Sequence, residues 1–381
     1  MEVRAGYKRT EVGVIPSDWV VKKLGDISYF SQGIQVDLEK QSKSEKPNYS
    51  KFLRIENYTQ ESDDYRYIPS NFGRNKWISK DDVVVVRYGA TAGFIGQGKE
   101  GVLANNLFKV EPNPRLITNG YLFNYLKSDY TYNFFQNSMF GGAMPALSFK
   151  IAKDLLISLP PTIKEQTLIA TALSDSDALI SSLEKLIAKK RNIKKGAMQE
   201  LLKPKDGWLH KKLKDLVEIR KGQLITDSTR VQGNIPVIAG GKTPAYYHNK
   251  ANRTGKTITI SSSGASAGYI SFHSYPIFAS DCSTISESAD YSIEFVYYLL
   301  FSMQEKIYKM QTGGAQPHIH PRDLNPIPVV CPDKTEQSAI ASTLLDMDAE
   351  ITALETKLEK CKMIKQGMMQ TLLTGEIRLI F

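Results

Sequence analysis

The feature that most constrains this chain is a long segment that occurs twice. Residues 165–202 align with residues 336–373 without a gap at an offset of 171, and 19 of the 38 aligned positions are identical. The identities include the Glu-Gln pair that opens each copy, at Glu165 and Glu336, and the Gly-x-Met-Gln-x-Leu-Leu motif that closes it, at Gly196 and Gly367. An ungapped match of this length indicates an internal duplication, so the fold must contain the same element twice.

The parts that precede each copy are also related, but much more weakly. Trp19 and Trp208 are the first residues of two similar nonapeptides. The segment YGATAGFIG, which begins at Tyr88, matches SGASAGYIS, which begins at Ser263. The segment GGAMP at 141 matches GGAQP at 313. The offset falls from 189 to 172 through these matches, so the second part is shorter. Two related globular heads, each followed by a similar helix, are therefore predicted. The predicted segments are a first head at 1–162, a helix at 163–203, a second head at 204–332 and a second helix at 333–381.

Apolar residues recur at alternating spacings of four and three in both copies. The first set is Ile169, Leu173, Ile180, Leu183, Ile187 and Leu201. The second set is Ile340, Leu344, Met347, Ile351, Leu354, Leu358, Cys361, Met368 and Leu372. A heptad seam of about four heptads predicts long coiled-coil helices, and the alternative is two amphipathic helices that lie on their own domains. Since the first helix begins where one head ends and finishes where the next begins, antiparallel pairing would place the heads at opposite ends of a rigid spacer.

The heads carry short runs rich in β-branched residues, such as DVVVVRYG and KTITISSSG, which are punctuated by Gly, Asn, Ser and Pro. Helical stretches follow these runs, for example IEFVYYLLFSMQEKIYKM. Such patterns are typical of strands, turns and packed helices. The predicted fold class is α+β, with two pseudo-repeated α/β globular domains separated by two long antiparallel coiled-coil helices.

The charge is basic and unevenly placed. Lys and Arg number 49 against 40 Asp and Glu, a net charge of +9, and residues 185–214 hold eleven basic against two acidic residues. This window permits a phosphate-facing stripe, although a solvated helix face explains it equally well. Nucleic acid, an anionic membrane or an acidic protein would each suit a basic chain. The sequence has no long apolar stretch and no export signal, so a cytoplasmic protein without a membrane span is expected.

No catalytic or metal-binding pattern stands out. Two Gly-Lys-Thr tripeptides lack the glycine that a phosphate-binding loop needs five residues earlier, where Pro236 and Lys250 stand instead. His318 and His320 are spaced for half a metal site, yet nothing completes it. The three cysteines are far apart and predict reduced thiols. Neither catalytic nor metal-ligating residues are predicted, and a nuclease or methyltransferase with an unrecognised site remains the enzymatic alternative.

Several phrases together resemble those of one known family, the specificity (S, or HsdS) subunits of type I restriction-modification systems. They are TEVGVIPSDWVVKKLGDI, GATAGFIG, LISLPPTIKEQTLIA and GAMQELL, and they are spread over the whole chain. The combination of Pro-Pro-x-x-x-Glu-Gln with a following coiled-coil helix carries much of the resemblance. Cys331-Pro332 replaces the Pro-Pro pair before the second copy, which blurs that boundary.

The resemblance implies a role in DNA recognition. The heads would be target recognition domains, each reading one half of a split double-stranded DNA sequence. Two modification (methyltransferase) subunits would dock on the chain and supply S-adenosylmethionine-dependent adenine methylation. Restriction subunits would add ATP- and Mg-dependent translocation and cleavage. The chain itself would be non-catalytic and hold no cofactor. Because the heads have diverged, the target is expected to be asymmetric.

Basic and aromatic residues on the heads are the candidates for DNA contact, since Arg and Lys read base edges and fix register on phosphates. In the first head they are Arg54, Arg74, Lys76, Arg87 and Tyr88. On the first helix they are Lys190, Arg191, Lys194 and Lys195. In the second head they are Arg220, Lys221, Arg230, Lys242, Arg253 and Lys256. The alternative for each is a solvated surface cation. A stand-alone DNA-binding or adaptor protein, and a homodimer through the same seams, stay open as alternatives.

Overall fold

The computed structural model describes residues 4–60, 62–139, 145–226, 228–229, 231–313 and 316–380. The chain divides into two compact units. Unit 1 comprises Met1–Leu183 with Lys357–Phe381, and unit 2 comprises Glu184–Thr356. This division cuts through both long helices, whereas the sequence predicts four segments that begin and end at helix boundaries. Each unit therefore contains one head and one end of each helix.

Unit 1 holds the first head, in which short strands alternate with short helices. Its strands are β1 Tyr7–Thr10, β2 Gly13–Pro16, β3 Val20–Lys23, β4 Ser28–Gln32, β5 Tyr49–Leu53, β6 Arg66–Pro69, β7 Trp77–Ile78, β8 Val83–Val86, β9 Ile95–Gly96, β10 Gly101–Leu103, β11 Leu107–Pro112 and β12 Leu156–Leu159. Its helices are α1 Leu24–Ile27, α2 Ile55–Thr59, α3 Asn119–Leu126, α4 Asp129–Ser138 and α5 Phe149–Asp154, and the long helix α6 begins here and spans Ile163–Leu201.

Unit 2 repeats this organisation with fewer strands. They are β13 Leu209–Lys212, β14 Arg220–Lys221, β15 Ile235–Ile238, β16 Tyr246–His248, β17 Thr257–Ser261, β18 Ile270–His273, β19 Phe278–Ala279, β20 Cys282–Ser286 and β21 Pro328–Cys331. Its helices are α7 Leu213–Leu216, α8 Ile293–Ser302, α9 Gln304–Tyr308 and α10 Pro321–Leu324, and the second long helix α11 begins here and spans Lys334–Leu373.

The two heads share the strand topology of their two main sheets, and the first head adds β7 at the edge of one of them. One sheet has the order β4-β11-β8-β9 in the first head, and its counterpart has the order β14-β20-β17-β18 in the second. A second sheet pairs β5 in parallel with β10 and antiparallel with β6, as β15 pairs with β19 and with β16. The strand before each long helix pairs with the entry strand of its head, β12 with β3 and β21 with β13. The predicted α+β class with two related heads and two long helices is confirmed.

Helices α6 and α11 run antiparallel within each unit. In unit 1 the Lys365 Nζ atom lies 2.5 Å from a carboxylate oxygen of Asp177. In unit 2 Lys190 pairs with Glu350 at 2.6 Å. As residue numbers rise along α6 they fall along α11, which is the register that an antiparallel pair requires.

The predicted seam residues lie on the inner faces of these helices. Nine of them are buried, namely Ile169, Leu173, Leu183, Ile187, Ile340, Leu344, Ile351, Leu358 and Leu372. Ile180, Leu201 and Leu354 are half-buried. The first three turns of each helix also enter the core of their own head. Ile169 and Leu173 pack with Trp19 in one core, and Ile340 and Leu344 pack in the core that contains Trp208.

The glutamine of each Glu-Gln pair fixes a long helix to its head. Gln166 accepts a hydrogen bond from the Thr118 N–H at 3.0 Å, and Gln337 accepts one from the Ser292 N–H at 3.0 Å. Thr118 and Ser292 are the N-cap residues of α3 and α8. Both glutamines are buried. Because a buried amide needs its partners, the pair sets the angle at which each helix leaves its head.

The glutamate of each pair binds the segment that follows the end of the other long helix. Glu165 is 1% exposed and accepts hydrogen bonds from Nε and Nη2 of Arg378 at 2.5 and 2.9 Å. The Glu165 carboxylate holds the pKa of Arg378 above its usual range. In unit 2 Glu336 accepts hydrogen bonds from Lys205 Nζ and Trp208 Nε1, each at 3.1 Å. Each unit is thus closed by a charge pair between two distant parts of the chain.

Candidate nucleic-acid interface

A glycine loop follows the central strand β8 of the first head and is held by backbone hydrogen bonds. The Gly89 N–H donates to the Pro145 carbonyl at 3.1 Å, and the Leu147 N–H donates to the Arg87 carbonyl at 2.8 Å. The Arg87 N–H in turn donates to the Asn106 carbonyl at 2.8 Å. Gly89 has a φ of +89°, which favours glycine over any other residue. We call this arrangement, residues 86–93 with 106 and 145–147, the loop frame of the first head.

The second head repeats the loop frame after β17. The Gly264 N–H donates to the Pro317 carbonyl at 3.0 Å, and the Ile319 N–H donates to the Ser262 carbonyl at 3.0 Å. The Ser262 N–H donates to the Asp281 carbonyl at 3.1 Å. Residues 261–268, 281 and 317–319 therefore form the loop frame of the second head, bond for bond like the first. The similarity of YGATAGFIG and SGASAGYIS in the sequence marks these two positions.

Arg87 and Tyr88, two predicted DNA contacts, lie in the loop frame of the first head. The Arg87 guanidinium carbon lies 4.8 Å from the centre of the Tyr88 ring and 5.3 Å from that of Phe149. Within the described residues no acceptor bonds to this guanidinium, and its Nε is buried without a partner. The Tyr88 and Phe149 rings therefore lie beside a cationic fork whose hydrogen-bond donors have no acceptor among the described residues.

The other three candidates of the first head lie elsewhere. Arg54 precedes α2 and is bound within the head, since its Nη1 lies 2.6 Å from a carboxylate oxygen of Glu56. Lys76 donates to Ser31 Oγ at 3.1 Å. Arg74 is exposed on the 3-10 turn Arg74–Lys76, and it forms no ion pair with any residue of the described ranges. Arg74 is therefore the most available of the three cations for a phosphate.

Three of the four helix candidates are engaged by acids on α11. Lys190 pairs with Glu350 as described above, Arg191 Nη2 lies 2.6 Å from Glu355, and Lys194 Nζ lies 2.5 Å from Asp348. Lys195 is exposed and has no such partner in the described part of the chain. The predicted basic stripe is thus partly neutralised, because the antiparallel register brings acidic residues of the second helix against it.

The candidates of the second head divide in the same way. Arg220 pairs with Glu218 at 2.7 Å, and Lys256 pairs with Glu294 at 2.5 Å, which holds the pKa of Lys256 above its usual range. Arg253 donates to the Thr284 hydroxyl at 3.0 Å and to the carbonyls of Asn252 and Lys221 at 2.8 and 3.2 Å, so it stabilises the head.

Two cations of the second head are exposed and form no ion pair within the described residues, Lys221 and Lys242. The Lys242 Nζ atom lies 5.3 Å from the centre of the Tyr269 ring. Arg230 lies outside the described residues. Sequence reasoning did not name Ser263, Asp281 or His318 of the second loop frame as DNA contacts, because for that role it sought Arg, Lys and Tyr.

The described residues contain no group of three or more His, Cys, Asp or Glu side chains placed to hold a metal ion. His318 and His320 stack on each other with ring centres 6.0 Å apart. Burial raises the pKa of the Cys282 thiol to about 12, so this thiol is protonated at neutral pH. No helix among the described residues is long and apolar enough to cross a membrane.

Comparison with known proteins decides the family. Residues 16–194 and 205–362 match the type I restriction modification DNA specificity domain. The chain belongs to this family of type I DNA specificity proteins. The family and the DNA specificity role predicted from the sequence are confirmed.

Two similar proteins of Methanocaldococcus jannaschii illustrate the relationship. The specificity subunit of the type I restriction enzyme MjaVIII is 26% identical over 411 aligned residues, which cover 96% of this chain and 94% of that protein. The putative specificity subunit of the type I restriction enzyme MjaX is 26% identical over 426 aligned residues, which cover 98% of this chain and 96% of that protein. Both alignments run through the two heads and the two helices.

Solved structures support the same fold. The S subunit of a type I restriction-modification system from M. genitalium superposes with a TM-score of 0.69 at 15% identity and covers 98% of both chains. A chain from a structure that describes complex assembly and conformational transition of the type I R-M system superposes with a TM-score of 0.56 at 17% identity and covers 95% of this specificity protein and 99% of that chain. The architecture is thus shared at low sequence identity.

Proposed function

We propose that this specificity protein reads an asymmetric, two-part sequence in double-stranded DNA, one part with each head. The observation that carries the proposal is that both heads have one strand topology and lie within the family match, while their loop frames present different side chains. A shared scaffold with different surface chemistry suits the recognition of two different half-sites. The target is therefore asymmetric.

The chain acts as the non-catalytic subunit of a larger cytoplasmic enzyme. Two modification subunits dock on it and bring S-adenosylmethionine for DNA methylation. Restriction subunits bring ATP and Mg for translocation and cleavage. The specificity protein contributes DNA sequence reading and the positioning of these partners, and it needs no cofactor of its own.

The exposed cations without an intramolecular partner are the first candidates for phosphate contacts. They are Arg74 in the first head, Lys195 on α6, and Lys221 and Lys242 in the second head. Lys190, Arg191, Lys194, Arg220 and Lys256 would have to exchange a carboxylate for a phosphate, so their net contribution is smaller. Arg54, Lys76 and Arg253 stabilise the heads from within, and Arg87 and Tyr88 are placed to meet DNA at the loop frame.

The test is reconstitution with a partner. The chain is co-expressed with the methyltransferase subunit encoded beside it, the complex is purified, and methylated adenines are mapped on plasmid DNA. We expect methylation at a two-part sequence that is lost when this chain is omitted. Replacing only residues 204–332 by the second head of a relative should change one half of that sequence and leave the other half intact.

Three outcomes would contradict the proposal. Methylation or cleavage of DNA by the purified chain alone would make it an enzyme in its own right. Failure to bind any duplex or to direct methylation, with a partner proven active on another specificity subunit, would leave a basic coiled-coil adaptor. A head replacement that changes both halves of the target would refute the assignment of one half-site to each head.

A further inference from the structure

The two loop frames carry different side chains on one backbone pattern, and this difference bears on which bases are read. At corresponding points the first head has Arg87, Tyr88, Asn106 and Ala146, and the second head has Ser262, Ser263, Asp281 and His318. These positions correspond because they make equivalent backbone hydrogen bonds and bridges, such as Tyr88 with Ala146 and Ser263 with His318. The inference rests on the proposed function, since it concerns how each half-site is read.

The side chains that differ at these four points face solvent at least in part. Arg87, Tyr88 and Asp281 are half-buried, and Asn106 is exposed. The bonds of each frame run between backbone groups, so they place no demand on the side chains. A surface whose backbone is fixed while its side chains are free to differ can change its base preference without refolding.

Two buried residues beneath the frames are unchanged. Ala92 corresponds to Ala267, and both are buried. Ile95 likewise corresponds to Ile270, and both are buried. Other buried positions differ, since Val86 corresponds to Ser261. The frame surfaces differ in chemical character, with a cation and an aromatic ring in the first head and hydroxyls and an acid in the second.

In the first head the frame presents a cationic fork. The donors of Arg87 have no acceptor among the described residues, and its guanidinium lies beside the rings of Tyr88 and Phe149. A guanidinium of this kind matches the O6 and N7 acceptors of guanine in the major groove, which it can bind with two hydrogen bonds at once. No other base pair edge offers two adjacent acceptors from a single base.

In the second head the frame presents an acceptor instead. The Ser263 hydroxyl donates to Oδ2 of Asp281, and within the described ranges no donor bonds to Oδ1. Gly240 lies against Ser263, since a Cβ there would be 2.7 Å from the Ser263 carbonyl oxygen, so the neighbouring loop is packed closely beside this pair. An oriented carboxylate repels phosphates but accepts a hydrogen bond from an exocyclic amino group, as on N4 of cytosine or N6 of adenine.

We propose that the loop frames are the base-reading elements of the two heads. Arg87 reads a guanine in the first half-site, and Asp281, oriented by Ser263, reads an exocyclic amino group in the second. The two half-sites therefore differ in hydrogen-bonding polarity where the frames meet DNA, a donor from the protein in one and an acceptor in the other.

The experiment uses the complex with its methyltransferase subunits and a plasmid library with randomised half-sites. Asp281→Asn adds donors, so it should change the preference at one position of the second half-site roughly 5- to 150-fold, the range for one good base interaction. Loss of a cytosine there, or of an adenine, identifies which amino group is read. Arg87→Lys keeps the charge but removes the two-pronged geometry, so it should relax one guanine of the first half-site by a similar factor.

The matched control is Asp290→Asn, an exposed acid of the second head outside the loop frame, which should leave both half-sites unchanged. Ser263→Ala removes only the orienting hydroxyl and should weaken the preference at the same position as Asp281→Asn, even if the latter variant folds poorly. Unchanged sequence preference in active Asp281→Asn and Arg87→Lys complexes would overturn the proposal, as would an equal loss at every position. If the wild-type complex itself has no two-part target, the proposed function fails first.

Discussion

Unit 1 and unit 2 repeat one architecture, yet they are closed by charge pairs of different burial. Glu165 in unit 1 is 1% exposed and meets an arginine, whereas Glu336 in unit 2 is 39% exposed at its side chain and meets a lysine and a tryptophan. The same glutamate of the same motif thus experiences two dielectric environments. The comparison teaches that a duplicated glutamate can keep a cationic partner while its contribution to the free energy of unfolding changes with solvent access.

The largest difference should appear when these glutamates are neutralised. Glu165→Gln leaves Arg378, in a largely buried site, with Asp18 as its one charged partner among the described residues, so we expect unit 1 to lose about 3 kcal/mol of unfolding free energy. Glu336→Gln should cost unit 2 about 1 kcal/mol, because water screens that pair. Hydrogen–deuterium exchange of peptides from each unit, measured in urea, assigns each loss to its unit.

A control for this prediction comes from the neighbouring glutamines. Gln166 and Gln337 are both buried and make the same hydrogen bond, so Gln166→Leu and Gln337→Leu should cost their units equal amounts, about 2 kcal/mol each. Equal losses from the two glutamate variants would show that burial does not distinguish the two closures, contrary to our interpretation.

A second, smaller difference between the units is the pH dependence of their stability. All five histidines lie between residues 210 and 320, in unit 2. His273 on β18 is buried, bonds to the Thr259 hydroxyl at 2.9 Å, and has its pKa lowered by burial to about 4. The unfolded chain takes up this proton near pH 6.5, well before the folded chain does. Stability is therefore present above pH 6.5 and is lost as the pH falls toward 4.

The size of this effect follows from linkage. At pH 5 unit 2 should be about 2 kcal/mol less stable than at pH 7, and His273→Gln should flatten the dependence. Urea midpoints recorded from pH 7 to pH 5 provide the measurement. A wild-type midpoint that does not fall over this interval would contradict the prediction.

The smallest effect should come from the ion pairs between the long helices of unit 2. Combined Lys190→Gln and Arg191→Gln should change stability by less than about 1 kcal/mol and leave the salt dependence of DNA binding by the assembled complex unchanged, because acids on α11 already occupy both cations. The paired variant Lys195→Gln with Lys221→Gln should instead lower the slope of log affinity against log salt by about one for each phosphate that is no longer neutralised. An equal fall in slope for both double variants would show that Lys190 and Arg191 also contact DNA phosphates.

Much of the architecture could be predicted from the sequence, because the repeat and the heptads are local patterns. The spacing of Ile169, Leu173 and Leu183 encodes a helix face whatever lies opposite. The shared sheet topology of the heads could not be predicted from the sequence. Strand pairing such as β5 with β10 joins residues that are distant in the chain and only weakly similar between the heads. The clearest long-range signal was the pair of glycine phrases, and it marks the two loop frames.

The site was harder to predict for an electrostatic reason. A run of lysines on one helix predicts a DNA-binding stripe, but acids on the partner helix can neutralise it. The acids that pair with Lys190 and Lys194 are more than 150 residues away in the chain, so the sequence does not show the pairing. Asp281 was overlooked for the opposite reason, because an acidic residue of a basic protein is not an obvious candidate for DNA contact. Its interest arises only from its position opposite Ser263 on the loop frame.

The way the chain closes on itself also sets an order of assembly during synthesis. Unit 2 is one uninterrupted stretch, whereas unit 1 needs Lys357–Phe381. At ordinary translation rates of about 5 to 20 residues per second, roughly 10 to 40 s pass between the synthesis of Ile169 and Leu173 and that of Leu372 and Leu373, which share their core. The head that is made first is therefore the last to be finished, and a ribosome that stops early releases a protein whose second head is complete and whose first is not.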